Sequence, residues 1–158
     1  MYHWTEDMIR FMEDASAYGD YHRNLAEALL PFLTGTEHIC DAGCGLGDLS
    51  IALSPVIPQI TAVDIKAQAV ECLREKCRLR GIGNISILEG DIRLLSPETP
   101  YDGMVFCFFG MSEEILEIAK QQCRGRVISI KKNYCTHRFS AGNYPAGRDG
   151  FTRMRSLL

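Results

Sequence analysis

Between Asp41 and Asp48 the chain reads Asp-Ala-Gly-Cys-Gly-Leu-Gly-Asp, with glycines at positions 43, 45 and 47. Alternate glycines allow a tight turn and let a ligand approach the backbone with no Cβ in the way. A carboxylate, Asp64, follows 19 residues after Gly45. At the end of the next strand it is placed to accept hydrogen bonds from two ribose hydroxyls. The helix that opens after the turn would add free N–H groups. The spacing is not that of a dinucleotide-binding turn, which runs G-x-G-x-x-G and uses its third glycine for close helix–strand packing. Here the run is G-x-G-x-G, and Asp48 stands where that third glycine would be. An acid at a helix start opposes a pyrophosphate placed there. A ligand without phosphates and with positive charge suits this pattern better.

These residues need a scaffold, and apolar periodicity supplies one. Helices are expected over 5–16, from Asp20 as cap to an end marked by Pro31 and Gly35, over 48–53 until Ser54-Pro55, over 66–80 closed by Gly81, and over 112–122 with Ser112 as cap. Short apolar strands are expected over 37–41, 59–64, 84–88, 101–108 and 126–130. Helices alternating with continuous apolar strands imply βαβ units and a mostly parallel, doubly wound α/β sheet covered on both faces. The ligand site of such a sheet lies at the carboxyl ends of the strands, at the switch point.

Four segments together carry a family resemblance. HICDAGCGLGDLSIAL (38–53) resembles the first motif of class I S-adenosylmethionine-dependent methyltransferases, and TAVDI (61–65) their second. LEGDIRLL (88–95) resembles the third, and YDGMVFCFFG (101–110) the fourth strand of that family. The resemblance covers residues 37–110, with a fifth strand to 130, and implies a Rossmann-like methyltransferase fold of strand order 3-2-1-4-5. It implies S-adenosyl-L-methionine as cofactor and S-adenosyl-L-homocysteine as product. It places Asp41, Gly43, Cys44, Gly45 and Gly47 around the methionine part of the cofactor, and Asp64 at the ribose with Ile65 stacked on the adenine. Gly90 would also line the cofactor, Asp91 would accept from the adenine amino group, Ile92 would donate its N–H to the ring, and Cys107 and Phe108 would lie near the sulfonium. Tyr18, Tyr21 and His22 precede the first strand, where such enzymes often place a lid.

The acceptor is less legible, and no catalytic residue is assigned. Amino-methyltransferases of adenine or cytosine resembling this fold carry a D/N-P-P-Y/F tetrad after the fourth strand. Cys107-Phe108-Phe109-Gly110 stands there instead. Cytosine-C5 enzymes use a Pro-Cys nucleophile, whereas Cys107 follows Phe106. A small-molecule acceptor is the first expectation. A tRNA or rRNA acceptor, or a cofactor-binding domain inactive on its own, is the alternative.

Length and composition frame these readings. The chain has 158 residues, 46% hydrophobic and 23% charged, which suits one globular domain. The expected division is a helical cap at 1–35, a cofactor-binding core at 36–133 and a basic segment at 134–158. Residues 1–123 carry 9 Lys/Arg against 19 Asp/Glu, a balance of −10, whereas residues 124–158 carry 8 Lys/Arg against one acid, a balance of +7. Lys131, Lys132, Arg138 and Arg148, interleaved with Tyr134, Phe139 and Tyr144, form an expected RNA contact. The resembling family has seven strands, so two are expected to be missing here, with the chain a fragment or with dimerisation covering the free sheet edge. Seven cysteines without a CxxC pair, and four His without metal-ligand spacing, point to reduced thiols and no metal. With no signal peptide and no apolar run long enough for a membrane span, the expected location is the cytoplasm.

Overall fold

The computed structural model describes residues 5–131. The basic segment 134–158, and Lys132 with it, lies outside the described residues. The element order is α1 (Glu6–Tyr18), α2 (Tyr21–Leu33), β1 (His38–Ala42), α3 (Asp48–Leu53), β2 (Gln59–Asp64), α4 (Ala67–Arg80), β3 (Ile85–Glu89), a 3-10 turn (Ile92–Leu94), β4 (Tyr101–Cys107), α5 (Ser112–Gln122) and β5 (Cys123–Ile130). The five strands form one sheet in the order β3-β2-β1-β4-β5, and every pairing is parallel. The winding direction reverses between β1 and β4, which puts the crevice at their carboxyl ends.

Strand composition explains the layering. Ile39, Ile60, Val105 and Ile128 point to one face, where Leu25, Leu29 and Leu33 of α2 and Leu49 and Leu53 of α3 meet them. Leu73 and Cys77 of α4 close on Ala62 and Ile51 on that same face. Cys40, Ala42, Val63, Met104 and Phe106 point to the other face, against Ile92, Ile115 and Ile118. Met104, Val105 and Phe106 of β4 are fully buried in succession, as a strand covered on both sides requires. At the amino end of the sheet Asp102 staples three elements. Its Oδ2 accepts from Glu37 and His38 N–H, and its Oδ1 accepts from Arg124.

Local signals account for most boundaries, and three expectations need correction. Pro31 does not end α2 but sits inside it, and the helix runs on to Leu33 because Leu29 and Leu33 are needed in the core. Asp20 precedes α2 without making a cap bond; its carboxylate pairs with Arg23 instead. Ser112 is the first helical residue of α5, not its cap. Glu114 Oε2 accepts from Met111 N–H, and Ser112 Oγ accepts from Lys131. Thr5 does cap α1, accepting from Met8 N–H, and Gly81 ends α4 at φ +64.

Candidate functional site

The loop from Ala42 to Asp48 leaves the end of β1 and turns through three left-handed residues, Gly43, Gly45 and Gly47. Two of these glycines are required by packing. A Cβ on Gly43 would run into the ring of Phe109, and one on Gly47 into the side chain of Leu73. The loop's N–H groups are spent within the protein. Gly43 and Cys44 N–H both donate to Val63 O, Gly47 N–H donates to Cys44 O, and Gly45 N–H donates to Asp64 Oδ2. Those four N–H groups are therefore not offered to a ligand.

What the loop does present is negative charge. Asp41 is 1% exposed. Its Oδ2 accepts from Ser50 Oγ at 2.6 Å, and its Oδ1 has no hydrogen-bond partner among the described residues. Burial pushes the Asp41 carboxyl up to about 6, opposed by the Ser50 hydrogen bond and reinforced by the neighbouring Asp64 charge. Asp64 ends β2 and holds two loops together, with Gly45 N–H on Oδ2 and Lys66 N–H on Oδ1, both at 2.9 Å. A carboxylate accepts about four hydrogen bonds, so among the described residues roughly two positions remain open. Its carbonyl accepts from Gly90 N–H at 2.9 Å, which draws the loop after β3 against the loop after β2.

The other expected residues fall around these two acids. Ile65 is half exposed beside Asp64, whereas Ile92 is buried in the core of the second face with its carbonyl accepting from Gln122 Nε2. Asp91 caps the 3-10 turn through Arg93 N–H and is forked by the Arg93 side chain. Cys107 ends β4, and burial raises its thiol to about 12, with Asp41 adding to the effect. It stays protonated and is no thiolate nucleophile. Phe108 is half exposed at φ +54, a left-handed conformation that a bulky residue adopts only when its surroundings impose it. Its N–H is anchored to Ile130 O.

Sequence reasoning missed several residues. Ser50 is buried against Asp41, and only its polar character on an inward helix face hinted at a role. Lys76 reaches across 28 residues to Asp48 Oδ1 at 2.8 Å and to Leu46 O at 3.2 Å, locking the loop to α4. No local pattern announces that contact. The first two helices are tied down beside this loop. Cys72 on α4 donates to Glu13 on α1. His22 at the start of α2 bonds Ser16, and burial lowers its pKa against the pull of Asp48. Tyr21 packs edge-on against His22, and burial raises its hydroxyl, with Cys107 adding to it. Tyr18 is 98% exposed.

A parallel 3-2-1-4-5 sheet with a glycine turn after β1 and acids ending β2 and following β3 is the class I, Rossmann-like methyltransferase architecture. Residues 39–124 match a family model described as a methyltransferase domain, and the chain belongs to that family of S-adenosylmethionine-dependent class I methyltransferases. An uncharacterized RNA methyltransferase of Gloeobacter violaceus is 29% identical over 118 residues, spanning 70% of this chain and 26% of its own length. The ribosomal RNA small subunit methyltransferase G of an Azoarcus species is 26% identical over 94 residues, 58% of this chain and 44% of that protein. The chain thus spans less than half the length of these curated relatives. Among solved structures, a Methanococcus maripaludis protein assigned as an S-adenosyl-L-methionine-dependent methyltransferase superposes with a TM-score of 0.69 at 20% identity, covering 82% of this chain and 66% of that one. That likeness shows the fold. Among the described residues no helix is long and apolar enough to cross a membrane.

Proposed function

We propose that this chain binds S-adenosyl-L-methionine at the carboxyl ends of β1, β2 and β3 and transfers its methyl group to RNA. The observation that carries the cofactor half is the inverted polarity of the glycine loop. Four loop N–H groups are consumed internally, while among the described residues Asp41 Oδ1 is left buried and unpartnered and Asp64 keeps open acceptor positions. Such a loop repels a pyrophosphate and complements a cationic nucleoside. The residues present fit that ligand. When bound, S-adenosylmethionine supplies an electrophilic methyl group on a sulfonium centre, so holding the acceptor in line accounts for much of the acceleration.

The chain's own residues have separable tasks in this reading. Asp64, fixed by two backbone N–H groups, accepts from the ribose hydroxyls. Asp41 contributes negative charge to the methionine end, together with the turn at Gly43, Cys44, Gly45 and Gly47. Ile65 offers an exposed apolar face to the purine. Gly90, Asp91 and Ile92 read its edge. Cys107 and Phe108 border the reacting methyl, and Tyr21 and His22 exclude water from above. No side chain is assigned as a general base.

RNA as the acceptor is supported by the names of the curated relatives and by the +7 balance of residues 124–158. The −10 balance of residues 1–123 favours a second reading, a small-molecule acceptor. Incubating the full chain with methyl-labelled S-adenosylmethionine, unmodified rRNA and tRNA transcripts and a small-metabolite extract separates them. Ribonuclease-sensitive label is the expected result. Label confined to the small-molecule fraction would move the acceptor to that class, and cofactor binding without label in either would mark a domain inactive alone.

A further inference from the structure

The carboxylate of Asp91 is held by an unusually complete set of donors from a single residue. Oδ1 accepts from Arg93 N–H at 3.0 Å and from Arg93 Nε at 2.7 Å, while Oδ2 accepts from Arg93 Nη2 at 2.7 Å. The third guanidinium nitrogen, Nη1, is turned the other way and donates to Glu114 Oε1 at 3.3 Å. Glu114 is itself fixed, because its Oε2 accepts from Met111 N–H at the start of α5. A carboxylate has about four acceptor positions, two on each oxygen. Both on Oδ1 are filled and one on Oδ2 is filled, so among the described residues one acceptor position on Oδ2 remains. The pair is partly open to solvent, with Asp91 20% and Arg93 54% exposed. The backbone around it is anchored by Gly90 N–H to Asp64 O on one side and Gln122 to Ile92 O on the other.

We propose that Arg93 is a positioning residue for purine recognition. Its fork fixes the Asp91 carboxylate so that one lone pair, on Oδ2, is left to accept from the exocyclic amino group of the cofactor's purine. This inference rests on the cofactor reading above and deepens it, by assigning the amino-group specificity to a pair rather than to Asp91 alone. Arg93 also holds the Asp91 carboxyl below its ordinary range, which keeps the acceptor ionised. The opposite possibility, a guanidinium that competes with the purine for Asp91, predicts the opposite sign on removal.

The test compares S-adenosylhomocysteine with its 6-deaminated analogue carrying unsubstituted purine, which lacks the amino donor for the carboxylate but keeps N1 as an acceptor for Ile92 N–H. Calorimetric titration of the full chain should show a preference for the amino compound of about 30-fold, the size of one hydrogen bond to a charged acceptor. In Arg93→Ala that preference should fall about tenfold, with the deaminated analogue weakened less than about twofold. Arg93→Lys, which restores the charge but not the fork, should give an intermediate ratio. A purely structural role would weaken both ligands in parallel and leave the ratio unchanged, and that result would overturn the proposal. A larger ratio in Arg93→Ala would overturn it too and identify the guanidinium as a competitor. Wild-type chain that binds both ligands equally would sink this inference and leave the cofactor reading standing. Wild-type chain that binds neither would remove both.

Discussion

Replacing Asp41 with Asn should shift stability progressively toward the variant as pH rises, while weakening its hold on a cationic nucleoside. The carboxylate is fully enclosed, has one hydrogen bond from Ser50, and leaves Oδ1 without a partner among the described residues. Burial raises its pKa from 3.8 to about 6, with Asp64 adding and Ser50 subtracting. The folded value lies above the unfolded one, so the native state binds the proton more tightly. Stability is therefore highest below the ordinary value and falls as pH rises through the raised one. A rise of that size costs the folded state about 3 kcal/mol at full ionisation, of which about 2 kcal/mol falls between about pH 4.5 and about pH 7.5. Asn does not titrate. It keeps an oxygen for the Ser50 hydroxyl but buries an unpaired amide, a fixed penalty of about 1–3 kcal/mol that is the same at every pH. The difference in unfolding free energy between Asp41→Asn and wild type should therefore move in favour of the variant by about 2 kcal/mol across that window. Urea unfolding at a series of pH values reads it directly, provided the m-value stays constant. Affinity for S-adenosylhomocysteine should rise with pH in the wild type as the carboxylate ionises, and be weaker and flat in the variant. Unfolding curves that stay parallel in pH, within about 0.5 kcal/mol, would refute the assignment of an uncompensated buried charge to Asp41.

Three further outcomes follow from the loop and its supports. Gly47→Ala forces a left-handed alanine against the Leu73 side chain and should destabilise by about 2–4 kcal/mol in thermal or urea unfolding, with Gly47→Ala/Leu73→Ala losing less than the sum of the two single changes. Lys76→Met leaves Asp48 and Leu46 O unpaired and should reduce stability by about 1–2 kcal/mol; adding Asp48→Asn should return part of that in a double-mutant cycle. Ile65→Ala should change stability by less than about 0.5 kcal/mol because the side chain is half exposed, yet lower cofactor affinity about fivefold by removing an apolar platform, as a paired unfolding and binding measurement would show.

The scaffold was legible because its signals are local. Continuous apolar strands, Gly81 after a periodic helix, and the turn at Ser54-Pro55 each encode a boundary within a few residues. The corrections came where a tertiary demand overrode a local one. Pro31 stays helical because Leu33 must reach the core, and Ser112 is drawn to Lys131 rather than to its own helix start. At the site, the acids and glycines were visible as a pattern, but their wiring was not. The pattern put free N–H groups at the helix start but carried no sign of the loop's own donors, which the fold turns inward onto Val63, Cys44 and Asp64. Lys76 and Ser50 were silent because each acts on a residue that only the folded glycine loop and its helices bring near. The Asp91–Arg93 fork is local in sequence, yet a charge pair two residues apart carries no distinguishing signal until its geometry is seen.

The most direct test of cofactor binding at this site is parallel calorimetric titration of the full chain with S-adenosylhomocysteine and with NADH, each repeated on Asp64→Ala after circular dichroism shows the variant folded. The expected result is one-to-one micromolar binding of the sulfur nucleoside, none of the dinucleotide, and loss of binding in the variant. Binding of NADH by the wild type, or undiminished S-adenosylhomocysteine binding by Asp64→Ala, would contradict it.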